Sequence, residues 1–115
     1  MIVKKLLSGG LDGRNIKVAA TATPGTLIHT GPGVGALDEV YIYVLNTSAS
    51  EVTLTIEFGG VASPDDHVVK ALAPDEGAYL MVPGWLLQNE REVRAFAGTA
   101  NVVNVNGYVN RIHQE

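Results

Sequence analysis

The chain contains no cysteine, which excludes disulfides and thiolate metal sites. Aromatic residues make up only 6 %, with a single tryptophan, so the exposed ring platforms common in sugar-binding sites are scarce. Charged residues are 17 %, against roughly 25 % in an average soluble chain. A surface so poor in charge suits a protein that packs against other proteins. The net charge is −4 and the only basic cluster is Lys4-Lys5, so nothing draws the chain toward phosphate backbones. Nucleic acid is therefore not an expected partner. No apolar run approaches the roughly 20 residues of a membrane span, and a membrane is not expected as a partner either. The opening MIVKKLLSGGLDG has basic residues without the apolar stretch of a signal peptide. No segment holds a 3.6-residue hydrophobic period beyond two turns, which argues against helices as the framework.

What is present is a series of short β-like runs cut by turn residues. The 115 residues are enough for one core. Strands are predicted over residues 15–20, 26–30, 39–45, 51–58, 67–72, 78–82, 92–97 and 101–112. Thr23-Pro24-Gly25, the loop 31–35, Ser63-Pro64-Asp65-Asp66, the turn 73–77 and Pro83-Gly84 separate them. Turn signals about every ten residues favour an all-β, antiparallel β-sandwich of about eight strands over a βαβ sheet. Eight strands in two sheets suit a jelly roll. Residues 1–13 stand apart as an N-terminal arm or edge strand, with the sandwich domain over 14–115. Ile2, Val3, Leu6 and Leu7 flank the two lysines there, and Ser8-Gly9-Gly10 ends the pattern.

The stretch 38–60 reads as a β-hairpin turning through Asn46-Thr47-Ser48-Ala49-Ser50. In its second strand Val52, Leu54, Ile56 and Phe58 alternate with Glu51, Thr53, Thr55 and Glu57, which predicts one dry and one wet face. The first strand is apolar on both faces: Val40, Ile42 and Val44 on one, Tyr41, Tyr43 and Leu45 on the other. Such a strand is usually covered on both sides, by a second sheet or a neighbouring subunit. Tyr41, Tyr43 and Leu45 are therefore candidate protein-interface residues. So are Trp85, Leu86 and Leu87, which follow Pro83-Gly84 in an expected loop, although that loop can equally fold over the open end of the sandwich. In the last strand Val103, Val105 and Val109 oppose Asn104, Asn106, Tyr108 and Asn110. That polar face can be plain solvated surface, a stack across a symmetry axis or a binder of sugar hydroxyls.

Chemistry is hard to find. Gly31-Pro32-Gly33-Val34-Gly35 lacks the Gly-Lys-Ser/Thr ending of a nucleotide loop and no helix follows it. Asp65-Asp66-His67 is oxygen-rich, but neighbours in a strand point to opposite faces and few of these groups can converge on one ion. His29, His67 and His113 show no zinc spacing, and no nucleophile-elbow motif marks a serine. Glu51 and Glu57 lie roughly 20 Å apart along one strand face, too far for a glycosidase pair. The expectation is no enzyme, no catalytic residue, no metal and no cofactor.

Several segments occur in a familiar order: GRNIKVAA (13–20), GTLIHT (25–30), DEVYIY (38–43), LTIEFGG (54–60), PDD (64–66), VPG (82–84) and VNRI (109–112). In these the chain resembles small proteins encoded among the virion structural genes of tailed bacteriophages. The resemblance covers nearly all of the chain after its first dozen residues. It implies a particle component, a head decoration or cement protein on the capsid surface, made in the host cytoplasm. The implied partners are the major capsid protein and other copies of the chain in a homo-oligomer, such as a trimer. A neck or tail-adaptor component, or a carbohydrate-binding module for host attachment, are the alternatives.

Overall fold

The computed structural model describes residues 1–75 and 77–114. Among them are nine strands and no helix: β1 (Ile2–Leu6), β2 (Ile16–Lys17), β3 (Thr26–Thr30), β4 (Ala36–Asn46), β5 (Val52–Phe58), β6 (His67–Leu72), β7 (Tyr79–Leu87), β8 (Glu92–Ala97) and β9 (Val103–His113). The turn expected over 73–77 and the expected domain end include Glu76 and Glu115, which lie outside the described residues.

One sheet runs β1-β9-β4-β7, with β2 also on β9, and the other runs β3-β8-β5-β6. All pairings are antiparallel. The order follows from a single folded ribbon. β1 and β2 pair with β9, β3 with β8, β4 with β7 and β5 with β6, so the first half of the chain is matched by the second half in reverse. Wrapping that ribbon around a core brings β4 onto β9 and β5 onto β8. The result is a two-sheet, jelly-roll-like sandwich, with its edges formed by five short or interrupted strands, β1, β2, β7, β3 and β6.

This topology corrects the hairpin expected over 38–60. β4 belongs to the first sheet and β5 to the second, and they do not pair. Residues 47–51 cross from one sheet to the other. Asn46 organises the crossing: its side chain accepts from the Ser48 N–H and donates to the carbonyls of Ser50 and Leu72. Small polar residues suit a tight turn and a crossover equally, because both need the side chain to hydrogen-bond its own backbone.

The strand alternation carries the core. Val40, Ile42 and Val44 of β4, Leu54 and Ile56 of β5, Val93, Ala95 and Ala97 of β8 and Val103, Val105 and Val109 of β9 are all fully buried between the sheets. The loops 31–35, 59–66 and 88–91 gather at one end of the sandwich, tied by bonds such as Gly31 N–H to Arg91 O and Glu90 N–H to Pro32 O.

Candidate functional site

The second apolar face of β4 lies on the outside of the first sheet. Register places Tyr41 opposite Tyr108 on β9, Tyr43 opposite Asn106 and Leu45 opposite Asn104. On the other side β7 brings Leu80 beside Tyr43, Pro83 beside Tyr41 and Leu86 beside Glu39. β1 adds Leu6 beside Tyr108 and Lys4 beside Asn110. Among the described residues no further sheet covers this face, and Tyr41, Tyr43 and Leu45 are half-buried by one another and their neighbours.

The face is nonetheless ordered. The Tyr41 and Tyr108 rings stack with centroids 4.9 Å apart and planes 19° from parallel, and Lys4 Nζ sits 4.9 Å above the Tyr108 ring. The Tyr41 hydroxyl donates to Glu39 Oε1 at 3.1 Å, and Asn110 Nδ2 donates to the same oxygen at 3.0 Å. The hydrogen bond to that carboxylate holds the Tyr41 proton and raises its pKa above the ordinary phenol value. Two glycines admit the stack. A side chain on Gly107 would run into the Tyr41 carbonyl, and one on Gly84 would meet the Tyr41 ring. Gly84, at φ +97°, is the extra residue of a bulge in β7.

That bulge corrects the reading of 83–87 as a loop. β7 continues through Pro83-Gly84, because an edge strand tolerates proline and glycine supplies the bulge conformation. The three residues beyond it part company. Leu86 is 59 % exposed on the outer face, whereas Leu87 is 4 % exposed, packed in the core and unavailable to a partner. Trp85 stands at the open edge between the sheets, with its ring edge-on to Phe58 at 5.5 Å. It closes that edge and still shows part of its surface outward.

Two buried polar clusters were not anticipated from the sequence. In the first, His29 of β3 joins the sheets. Its Nδ1 accepts from the Ser8 N–H at 3.0 Å, which places the ring proton on Nε2, facing Asp38 Oδ2 at 2.6 Å. Asp38 also accepts from Arg111 Nε at 2.8 Å and Nη2 at 3.0 Å. Burial lowers the His29 pKa, outweighing the attraction of Asp38. Burial alone would raise the Asp38 pKa, but the Arg111 guanidinium and the His29 N–H together bring it below the ordinary value. Both groups therefore act in one direction. The unfolded chain takes up a proton at His29 before the folded one does, so stability falls as pH drops below the ordinary 6.5. The Asp38 contribution is full above 3.8 and is lost as pH falls through its depressed folded value. Urea midpoints measured from about pH 7 to about pH 5 should decrease, and His29→Gln should flatten that slope.

The second cluster overturns the wet face expected for β5. Glu57 is fully buried and Thr55 nearly so, and the segment leading into β3 folds over Glu57. Glu57 accepts from the Thr23 hydroxyl and from the Gly25 N–H at 2.7 Å, with His67 Nε2 3.3 Å away. Alternation identifies the face of a residue but not what another segment lays over it. Asp66 is used locally, its carboxylate accepting from the Ala62 N–H, while His67 faces Glu57. Among the described residues no three His, Cys, Asp or Glu side chains group as a metal site.

Comparison with models of known families, with curated proteins and with solved structures finds no match.

Proposed function

We propose that this chain is a structural protein of a tailed-bacteriophage virion, non-enzymatic, which decorates and stabilises the capsid through protein–protein contacts. The observation that carries the reading is the outer face of the first sheet, where Tyr41, Tyr43, Leu45, Leu80 and Leu86 cluster and where, among the described residues, no further sheet lies above them. Four strands about 4.8 Å apart and up to eleven residues long give a face on the order of 700 Å². That is close to the roughly 800 Å² per partner of a stable interface. The apolar residues share that face with Lys4, Glu39, Asn104, Asn106 and Asn110, the mixture of apolar centre and polar surround found in protein interfaces. The partners proposed for this surface are the major capsid protein and other copies of the chain, and an oligomeric unit would raise apparent affinity through repeated weak contacts.

The test is to mix purified protein with expanded heads of the phage that encodes it, sediment the heads and image them. Density repeated over the shell surface is expected. Density confined to one vertex would move the protein to the neck, and no density at all would remove the reading.

A further inference from the structure

The N-terminal strand divides sharply into a root and a blade. All five β1 residues are exposed, with Ile2 at 67 % and Leu6 at 56 %, while the next residue, Leu7, is 5 % exposed. The root is fastened to β3. The Ser8 N–H bonds His29, Ser8 Oγ accepts from the Thr30 N–H, and the Gly9 N–H donates to the Ile28 carbonyl. A side chain on Gly9 would collide with the backbone of Leu27 and Ile28, so the root lies flat on that strand. Ahead of it the blade rests on β9 by its backbone ladder and one cation–ring contact, and none of its side chains is fully buried. No blade residue belongs to the buried core, and lifting the blade uncovers an edge of β9.

We propose that β1 is exchanged between copies of this chain, the blade of one pairing with β9 of another. The β9 edge already fits this sequence, in the register Ile2 to Ile112, Lys4 to Asn110 and Leu6 to Tyr108. A second copy's blade reproduces that fit by identity, which is what makes exchange of an element a low-cost route to assembly. The competing arrangement is two β1 strands meeting edge to edge across a two-fold axis. Centring that pair sets Lys4 against Lys4 of the second copy, a like-charge contact that disfavours it. Exchange keeps Lys4 over a Tyr108 ring instead. The five residues of β1 span about 17 Å, so the exchanging copies stand side by side. The inference concerns the chain alone and does not depend on what the assembly covers.

The absence of native cysteine makes the test direct. Ile2→Cys and Ile112→Cys are prepared as separate single variants, one isotopically heavy, refolded together and oxidised. Every disulfide in that mixture joins different chains, and a heterodimer in excess of both homodimers reports one chain's blade on the other's β9. The expected result is a covalent heterodimer about tenfold above either homodimer, since pairing places the thiols at millimolar effective concentration. The Ile2→Cys/Ile112→Cys double variant should give covalent oligomers. A double variant that closes wholly within one chain, with no heterodimer in the mixture, overturns the proposal. Head binding by the unmodified chain is read separately, so failure here leaves the decoration reading standing or falling on its own result.

Discussion

Asp38→Ala is expected to lower stability by about 3–5 kcal/mol, the usual cost of removing one partner from a buried ion pair. Asp38 is fully buried, and its two oxygens satisfy a histidine from the opposite sheet and a guanidinium from the neighbouring strand. Truncation leaves the His29 Nε2–H without an acceptor and Arg111 without its counter-charge. The same contacts hold β3 against β4 and β9, so their loss loosens the junction between the sheets and the root of the N-terminal strand. In a domain whose total stability is about 5–15 kcal/mol, this is a large share. With a melting shift of about 4 °C per kcal/mol at this size, Tm should drop by 10 °C or more. Asp38→Asn keeps the shape and one acceptor oxygen and should lie between the parent and the alanine variant. Urea unfolding with an unchanged m-value distinguishes lost stability from a changed denatured state. Glu51→Ala, at an exposed position, should stay within about 0.5 kcal/mol of the parent. A loss from Asp38→Ala no greater than that of Glu51→Ala would remove the cluster's structural role.

The residues of that cluster show how much of the molecule its sequence discloses. Asp38 keeps step with Val40, Ile42 and Val44, and Arg111 keeps step with Val105 and Val109. Period-two counting therefore places an acid and a base on the core face of two strands, a signal present in the letters and left unused. The strands, the sandwich and the two faces of β4 were legible because they depend on side-chain alternation, a local property. Pairing was not, because hydrogen bonds between strands leave no mark on which strand supplies them. Asn46 and Ser48 serve a crossover with the same side-chain-to-backbone bonds that would serve a hairpin. Glu57 looks like a solvent-facing residue until the approach to β3 covers it, and that covering segment lies more than thirty residues earlier in the chain. Leu86 and Leu87 were candidates together, and only the register of β7 separates the one facing out from the one facing in.

That separation sets up the strongest test of the apolar face. Leu80→Asp/Leu86→Asp places two carboxylates on the outer side of β7, beside Tyr43 and Glu39. Both positions are exposed in the isolated chain, at 37 % and 59 %, so the charges remain hydrated; with some leucine packing lost at position 80 and the Glu39 carboxylate opposite position 86, folding stability should fall by only about 1 kcal/mol per site. Covered by a partner, each becomes a desolvated charge without a counter-ion, at about 3–5 kcal/mol. At about 1.4 kcal/mol per tenfold, one such group weakens association by roughly 10²–10³-fold, and two should abolish it at micromolar concentrations. Leu87→Asp carries the same chemistry one residue along and should give the opposite pattern. Its carboxylate would enter the core between the sheets, unpaired, and the variant should unfold or lose most of its melting transition. Sedimentation velocity, head co-sedimentation and thermal melts on the three proteins read both effects. If the double outer-face variant assembles and binds heads as tightly as the parent, the face formed by Tyr41, Tyr43, Leu45, Leu80 and Leu86 is not where this protein meets others, and its apolar character must be explained within the single chain.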